Sequence, residues 1–459
     1  MIARMLPPDV LRPLMEKLSA AHERVQQRFP GESGRRQPVH VMYGGAHLFR
    51  ADTAPRLGVA ALRALDEYAG DAARLGEAVG LPPALATTIY GRVREKLERE
   101  PIEDYRLDFE DGYGNRPDAE EDGHAAGAAR EVAGALAGGQ APPYLGIRIK
   151  PLSEDLRDRA VRTLDVFISE LMAASQGRLP DAFVVTLPKI TSAVQVAVLA
   201  DVFDRLEQAH RLATGSLRME LMIETTQSIV DERGGCSLPG LVAAGGDRIR
   251  GAHFGTYDYT AACGITAAHQ HMRHAACDFA RNVMQVALAG TGIWLSDGAT
   301  NILPVPVHRA RDGAELRDTE RAVNRAAVHR AWRLHYQDVQ HSLASGFYQG
   351  WDLHPAQLVT RYAAVHAFFL QNLDAASERL RNFIAKAAQA TLVGEVFDDA
   401  ATGQGLLNYF LRAMNCGAVR EEEIERLSGL TVDELRTASF VKIVERRRQP
   451  GRSGPPGAA

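Results

Sequence analysis

The chain has 459 residues, which exceeds the usual size of one domain, so we expect one large domain with added segments. Hydrophobic residues make up 46% and charged residues 24%, as in an ordinary globular protein, and no apolar stretch approaches the roughly 20 residues that cross a bilayer. The formal net charge of −4 provides no overall field that would attract nucleic acid or an anionic membrane, so we expect neither as a partner.

The N-terminal segment, residues 1–36, contains an amphipathic helical pattern at 8–29 and then a turn-rich stretch, GESGRRQP. It carries charges where a signal peptide would need an apolar core. The four cysteines are far apart and form no CxxC pair, so neither a disulfide framework nor a structural zinc site is indicated. From these features we predict a cytoplasmic protein.

Short β-branched or apolar runs recur from about residue 37, with helical patterns between them, as expected of βα units in a parallel sheet. The runs are VHVMY (39–43), YRLDFE (105–110), YLGIRI (144–149), AFVVTLP (182–188), RMELMIE (218–224), IRGAHFG (249–255), GIWLSDG (292–298) and GWDLH (350–354). This rhythm predicts an α/β fold, a modified (β/α)₈ TIM barrel, over residues 37–358. Helical patterns at 53–69 and 83–99 predict a helical insertion over residues 53–100.

Strand patterns stop near residue 358, and residues 359–447 are predicted to form a helical appendage. It includes a capping box from Thr431 to Glu434. The tail, residues 448–459, is rich in Pro and Gly and is predicted to be disordered. An alternative of a different class is an inactive barrel that binds DNA through residues 421–435, which have a helix-turn-helix rhythm, although acidic residues there would repel phosphates.

Polar residues stand at the C-terminal ends of successive predicted strands, where barrel enzymes build their active sites. They are Asp108, Glu110, Asp111, Arg148, Lys189, Glu224, Asp258, Asp297 and His354. One carboxylate at a strand end is more often a salt-bridge or cap partner, but a run over consecutive strands is harder to explain in that way. Glu224 and Asp258 follow neighbouring strands, so their carboxylates can converge. Two carboxylates with room for waters and substrate are the usual protein contribution to a Mg²⁺ site.

Seven motifs follow one another over roughly residues 104–358: LDFEDGYG, GIRIKPL, TLPKI, LMIETTQSI, GTYDYT, SDGATN and GFYQGWDLHPAQ. Their succession resembles the HpcH/HpaI aldolase and citrate lyase β-subunit superfamily, a group of phosphoenolpyruvate/pyruvate-type barrels. That superfamily has D-L-E-D, R-x-N, P-K, I-E-T, G-x-x-D, D-G and I-H-P-x-Q in this order. The resemblance implies a metal-dependent carbon–carbon lyase that acts on a small 2-keto or 2-hydroxy carboxylate through an enolate.

The resemblance also implies roles for individual residues. Glu224 and Asp258 would hold a Mg²⁺ ion, with Mn²⁺ as a substitute, and Arg148 would be the cationic partner of the substrate oxygen. Glu110 and Asp111 would lie beside this centre as further catalytic residues. The chemistry is consistent, because a cation and a fixed guanidinium both stabilise the negative charge that develops on an enolate.

The turn formed by Gly255, Thr256 and Tyr257 is expected, from the same resemblance, to bind the substrate carboxylate through its backbone N–H groups. Two positions depart from the superfamily pattern. Lys150 stands where R-x-N has its Asn, and the usual Lys of the last segment is replaced near Trp351. A coenzyme A thioester, as in lyases or hydrolases of the malyl-CoA type, therefore stays an alternative to a small free acid, and no general base is assigned.

Two further readings have less support from the sequence. In HQHMRH only His271 and His274 share a helical face, which favours a helix start over a metal site. Lys189 after a Pro resembles a Schiff-base lysine, but a metal and carboxylate pair would make that chemistry redundant.

Family resemblance suggests a homo-oligomer, a trimer or a hexamer. The appendage is then expected to cross a subunit boundary and to help cover the mouth of the barrel, which is the end formed by the C-terminal ends of the strands. Truncation at about residue 358 should accordingly lower both oligomer size and activity.

Overall fold

A computed structural model of the chain describes residues 6–31, 35–310, 315–389, 400–437 and 439–448. The strands, numbered β1 to β8 in chain order, span His40–Gly45, Asp104–Asp108, Tyr144–Arg148, Val184–Leu187, Arg218–Ile223, Ile249–Phe254, Trp294–Ala299 and Gln349–Asp352. Each strand pairs with the next and β8 pairs in parallel with β1, so the described part of the chain contains a closed eight-stranded parallel barrel. The predicted modified (β/α)₈ barrel is confirmed, and every predicted run overlaps one strand.

The helices are numbered α1 to α18. They span Pro8–Arg28, Thr53–Ala69, Ala72–Val79, Pro83–Arg99, Asp118–Ala137, Arg157–Ala174, Ala193–His210, Thr226–Ile229, Leu238–Gly245, Thr256–Ala262, Ala275–Leu288, Asp318–Ala344, Pro355–Gln371, Leu373–Gln389, Ala400–Asn415, Glu421–Ser428, Val432–Arg436 and Phe440–Arg448. None of these helices is both long enough and apolar enough to cross a membrane.

The interior of the barrel is partly polar. Arg106 of β2 points inward and contacts the carboxylates of Asp104 and Glu220, with 2.6 Å between its Nη2 and Glu220 Oε2. His253 Nε2 of β6 lies 3.1 Å from the same Glu220 oxygen. All four side chains are buried. The layer below the mouth is therefore a paired charge network, and only partners that neutralise one another can be buried in this way.

The insertion after β1 contains three helices in the described chain, α2 to α4, of which the sequence predicted the first and the last. The second, α3, begins where the Asp71 side chain accepts a hydrogen bond from the Arg74 N–H, and it ends at Gly80 with φ +83°. Its eight residues are too few for a periodic pattern to reveal it. The insertion packs on α13, where the Tyr362 hydroxyl donates to the Pro101 carbonyl at 2.9 Å.

The C-terminal helices α14 to α18 pack on one another, and α15 contacts the N-terminal end of the barrel. The guanidinium of Arg412 is 3.9 Å from the ring centre of Tyr348, the residue before β8, and it also contacts Gln37, just before β1. Arg92 of α4 pairs with Glu423 at 3.0 Å. Within one chain the appendage therefore contacts the end of the barrel opposite the mouth, and its expected position across a subunit boundary stays a prediction.

The eighth barrel helix, α13, spans Pro355–Gln371, so the predicted boundary at residue 358 falls inside it. A chain cut at 358 would lose most of α13 and could not close the barrel normally, so that truncation cannot isolate the role of the appendage. The division into domains stays a prediction. Of the predicted disordered tail, only Arg448, the last residue of α18, lies within the described residues.

The helix-turn-helix alternative receives no support from the geometry of α16 and α17. The second of these helices has only five residues, and the predicted capping box from Thr431 to Glu434 is present at its start. Ile424 of the first helix and Leu435 of the second are fully buried in the hydrophobic core. A five-residue helix is too short to present a recognition surface in the major groove.

We expect Phe410→Ala in α15 to destabilise the whole chain. Its ring has 0% exposure in the core that continues from the barrel, and such a truncation costs about 3–5 kcal/mol. Thermal unfolding should show one transition at a lower temperature, whereas Val441→Ala, at a position that is 54% exposed, should change little. Loss of only a minor early transition in Phe410→Ala would instead identify the appendage as a separately folding module.

Candidate active site

Glu224 lies directly after β5, and its carboxylate is held in place from two sides. The backbone N–H of Lys189 donates to Glu224 Oε1 at 2.7 Å. A side chain at position 255 would put its Cβ 2.5 Å from Glu224 Cβ and 2.6 Å from Oε2, so only glycine fits there. Burial, reinforced by the charges of Asp258 and Glu110, raises the pKa of Glu224 to about 8 against the opposing effect of Lys189.

The ammonium of Lys189 lies among the carboxylates of four other strand-end residues. Its Nζ is 2.9 Å from Asp258 Oδ2, 3.1 Å from Glu110 Oε1, 3.9 Å from Asp111 Oδ2 and 4.0 Å from Glu224 Oε1. Burial lowers its pKa, but the carboxylates of Glu224 and Glu110 outweigh burial and raise the pKa above the usual value. The amine is thus held in its charged form, which does not suit a Schiff-base nucleophile.

Lys189 also has a strained backbone, with φ +50°, in the left-handed region that non-glycine residues rarely adopt. This conformation points its N–H at one carboxylate and its side chain at three others. Strain of this kind is found where a functional arrangement requires it. The sequence placed Lys189 at a strand end but gave it no role in the metal-dependent site.

Arg148 ends β3 and is fixed by a fork-to-fork contact with Asp108. Its Nε and Nη2 donate to the two Asp108 oxygens at 2.7 and 2.5 Å. Its Nη1 lies 2.8 Å from Glu110 Oε2, and its guanidinium lies beside the paired rings of Tyr43 and Trp351, at 4.9 and 5.3 Å from their centres. The side chain is only 1% exposed. The planar cation is therefore held in one orientation at the mouth.

Asp108 organises the turn that follows β2. Its carboxylate accepts the N–H of Glu110 at 3.0 Å and the N–H of Gly112 at 2.7 Å, while it also binds Arg148. This turn also places the Asp111 carboxylate 3.3 Å from Arg148 Nη1. The positioning role of Asp108 could not be assigned from the motif, in which it is one of several acidic residues.

Negative charge exceeds positive charge in this cluster, which we call the mouth cluster. It contains the carboxylates of Asp108, Glu110, Asp111, Glu224 and Asp258 and the cations of Arg148 and Lys189. Burial and the nearby Asp111 charge raise the pKa of Glu110 to about 7, although Arg148 opposes this. The cluster therefore offers several carboxylate oxygens, which are the donors that a hard cation prefers.

The Gly255 to Tyr257 turn differs in part from the expectation. The N–H of Gly255 donates to the Ile223 carbonyl at 3.0 Å, so this N–H already has a partner within the fold, and the role of Gly255 in substrate binding stays a prediction. The Tyr257 hydroxyl donates to the Ala299 carbonyl at 2.9 Å and ties α10 to the end of β7. The N–H groups of Thr256 and Tyr257 belong to the first turn of α10, where a helix provides no acceptor of its own.

Two residues of the strand-end series lie outside the mouth cluster. Asp297 is buried and pairs with Arg281 at 3.0 Å, and His354 caps α13 by accepting the N–H of Ala356. Lys150, the residue that departs from R-x-N, is a buried partner of Glu121 at 2.8 Å. These side chains stabilise the barrel.

The histidine cluster is a helix start, as the sequence favoured. His274 Nδ1 accepts the N–H of Ala276 at the beginning of α11, and the His271 ring contacts the His274 ring edge-on. Over the described ranges, no group of three or more His, Cys, Asp or Glu side chains is arranged to hold a metal ion.

We expect Gly255→Ala to disrupt the site while the fold survives. The added methyl group must displace the Glu224 side chain, since it would otherwise lie 2.5 Å from Glu224 Cβ and 2.6 Å from Oε2. Any ion-dependent rise in melting temperature should therefore be lost. Gly240→Ala in α9 is the matched control, because nothing lies within 4 Å of its added Cβ. An unchanged ion response in Gly255→Ala would mean that Glu224 can move without consequence.

The sequence profile of a protein family described as "Domain of unknown function (DUF6986)" matches residues 18–443, which is most of the chain. No curated protein sequence matches the chain.

Solved structures with similar folds include a citrate lyase from Burkholderia xenovorans LB400. It is 16% identical, with 84% of this chain and 96% of that chain covered and a TM-score of 0.50. A Haloferax volcanii malate synthase in a lead(II) complex is 16% identical over 88% and 100% of the two chains, with a TM-score of 0.43. A HpcH/HpaI aldolase/citrate lyase family protein from Burkholderia cenocepacia J2315 is 12% identical over 78% and 99%, with a TM-score of 0.36.

At this identity the likeness to the citrate lyase shows a shared fold. The resemblance derived from the seven motifs is confirmed at that level: the chain is a citrate-lyase-like barrel.

Proposed function

The chain belongs to the DUF6986 family, and from its mouth cluster we propose that it is a Mg²⁺-dependent lyase that makes or breaks a carbon–carbon bond beside a carboxylate. The observation that carries the proposal is the convergence of Glu224, Asp258 and Glu110 on one cationic group beside the buried Arg148. The Burkholderia xenovorans protein with this fold is described as a citrate lyase, and the proposal extends that class of reaction to this chain. The substrate would be a small 2-keto or 2-hydroxy carboxylate.

The donor chemistry of the mouth cluster suits a hard divalent cation that takes two protein carboxylates, since no group of three or more ligating side chains in the described residues is arranged around one point. Its donors are carboxylate oxygens without His or Cys among them, and the Lys189 ammonium already lies between Asp258 and Glu110 as a single positive charge. Glu224 and Asp258 are the residues that would hold Mg²⁺ or Mn²⁺. Two carboxylates suffice, because Mg²⁺ keeps several waters and accepts substrate oxygens in the remaining positions.

A bound Mg²⁺ would supply electrostatic stabilisation for negative charge on a substrate oxygen. Arg148 adds a second positive charge whose orientation is set before substrate arrives, because Asp108 and the Tyr43 and Trp351 rings fix its plane. A prepositioned donor stabilises an enolate without the cost of reorganising at the moment of reaction.

Glu110 and Asp111 act on Arg148 and Lys189 as positioning residues in this proposal. Glu110 lies within 3.1 Å of the Lys189 ammonium and 2.8 Å of the Arg148 guanidinium, so it keeps the two cations apart and aligned. The remaining N–H groups of Thr256 and Tyr257 would receive the substrate carboxylate at the first turn of α10.

A thermal-shift screen of small 2-keto and 2-hydroxy acids, each with and without Mg²⁺, tests the proposal. We expect Mg²⁺ alone to raise the melting temperature and one class of acid to raise it further only when the ion is present. The full chain should be used, and turnover of the stabilising acid should then be followed by product analysis. Stabilisation by acids to the same extent without any divalent ion would contradict the proposed site.

A further inference from the structure

A second cluster of charges lies at the N-terminal end of the barrel. Arg218 is the first residue of β5, Arg250 is the second residue of β6, and Arg35 precedes β1. These three arginines line two cavities, of about 460 Å³ and about 630 Å³. We call this surface the arginine cleft. Tyr144 and Trp294, which begin β3 and β7, form part of the wall of the smaller cavity.

The arginine cleft differs from the other arginine sites around it, because those are neutralised. Arg36 pairs with Glu103 at 2.8 Å, Arg106 with Glu220 at 2.6 Å, and Arg248 with Glu207 at 2.8 Å. Among the described residues, the carboxylates of Glu103, Glu220 and Glu207 are thus paired with these three arginines.

Arg218 and Arg250 have no carboxylate partner of this kind in the described ranges. Arg218 donates only to the Asp247 backbone carbonyl, at 3.2 Å, and Arg250 forms neither an ion pair nor a side-chain hydrogen bond there. Asp181 and Asp247 also line the cavities, and neither forms an ion pair with the two arginines.

The arginines also affect one another. Burial, followed by the charges of Arg218 and Arg35, lowers the pKa of Arg250 to about 10. Burial and the Arg35 and Arg248 charges lower the pKa of Arg218 in the same direction. Like charges held together in a partly buried cleft destabilise the folded chain unless an anion joins them.

We propose that the arginine cleft binds a small anion with two or more negative charges, held by Arg218 and Arg250. The planar guanidinium presents paired donors that match the oxygens of phosphate and carboxylate groups. The cavity volumes are in the range of small-molecule sites. The rings of Tyr144 and Trp294 offer an apolar surface to an uncharged part of the same ligand.

The arginine cleft is separate from the mouth cluster, although the same two strands connect them. Along β5, Arg218 and Glu224 are about 20 Å apart at about 3.3 Å per residue. A ligand in the cleft therefore cannot contact a substrate at the mouth, and the cleft is an additional binding site whose existence does not depend on the proposed lyase activity.

Isothermal titration of the full chain with pyrophosphate, in low-salt buffer without divalent ions, tests this inference. We expect saturable binding that weakens as salt is added, and at least tenfold weaker binding in the Arg218→Gln/Arg250→Gln double variant. Arg205→Gln, at an exposed position of α7, is the charge-matched control and should bind like the wild type. Equal affinity in the double variant and the wild type would overturn the inference.

Melting temperatures provide a second measurement that remains informative if the double variant folds poorly. Without an anion, Arg250→Gln should raise the melting temperature at low salt, because it removes repulsion, and it should lose the stabilisation that pyrophosphate gives the wild type. A lower melting temperature together with retained pyrophosphate stabilisation would contradict both expectations.

Two further experiments identify the class of the ligand and test the competing explanation that the cleft is a subunit interface. Succinate in place of pyrophosphate distinguishes a dicarboxylate site from a phosphate site, and binding of either supports the proposal. Light scattering measures the mass of wild type and double variant. If the wild type binds neither anion and only the double variant loses self-association, the cleft is an interface between copies and the proposal fails.

Discussion

Glu224→Gln and Asp258→Asn are each expected to lower Mg²⁺-dependent turnover by a factor of at least about 100, because each removes one of the two anionic ligands proposed for the ion. The neutral side chains keep the shape of the originals. Glu224→Gln should still fold, because burial already disfavours the charged carboxylate and the amide oxygen can accept the Lys189 N–H.

Two measurements check this prediction. Turnover is measured with the acid that the thermal-shift screen identifies, and the Mg²⁺-dependent rise in melting temperature is measured without substrate. Both should be lost in each variant and kept in Asp201→Asn, a charge-matched control at an exposed position of α7. Wild-type turnover with a normal Mg²⁺ response in either variant would remove the proposed metal site.

Arg148→Lys is the second substitution from which we expect a large loss of turnover. Lysine keeps the positive charge but presents one ammonium, whereas Arg148 contacts both oxygens of Asp108 and reaches Glu110 at the same time. We expect turnover to fall by about 100-fold, comparable to the loss of one preorganised donor to a developing oxyanion. Stability should also fall, because the buried Asp108 carboxylate keeps only part of its neutralisation.

The two roles of Arg148 can be separated experimentally. A purely structural arginine would lower the melting temperature and leave kcat of the remaining folded protein near the wild-type value. Loss of a catalytic arginine lowers kcat of the folded protein. Arg130→Lys, at a surface pair with Glu170, is the control and should change neither quantity. Near wild-type turnover in Arg148→Lys would show that Arg148 only stabilises the barrel.

Much of the mouth cluster could be predicted from strand ends. The C-terminal ends of parallel strands in a closed barrel meet at one rim, so the positions of Arg148, Glu224 and Asp258 follow once the strands are recognised. Lys189 and Asp108 were visible as strand-end residues, but their partners were not. Which of several acidic residues pairs with a given cation depends on distances of a few ångströms. The spacing of residues along the chain does not determine those distances.

The appendage illustrates a different limit. The sequence predicted helices there, and a helix in a folded chain buries its apolar side: Leu380 is fully buried. The helical pattern does not indicate which surface these apolar side chains pack against. The described helices contact Gln37 and Tyr348 at the N-terminal end of the barrel, and this choice depends on the surface that the closed barrel offers there.

By itself, the sequence determined the number of strands, their order, the helical insertion and the candidate carboxylates, because hydrophobic periodicity and strand-end chemistry are local properties of the chain. The tertiary structure decided which polar residues meet. Closure of the barrel brought Lys189 among the mouth carboxylates, put Arg106 and Glu220 in the interior, and left Arg218 and Arg250 without a carboxylate partner in the described ranges. Such groups are distant in the chain. Burial and neighbouring charges shift their pKa values only in the folded structure, where they lie close together.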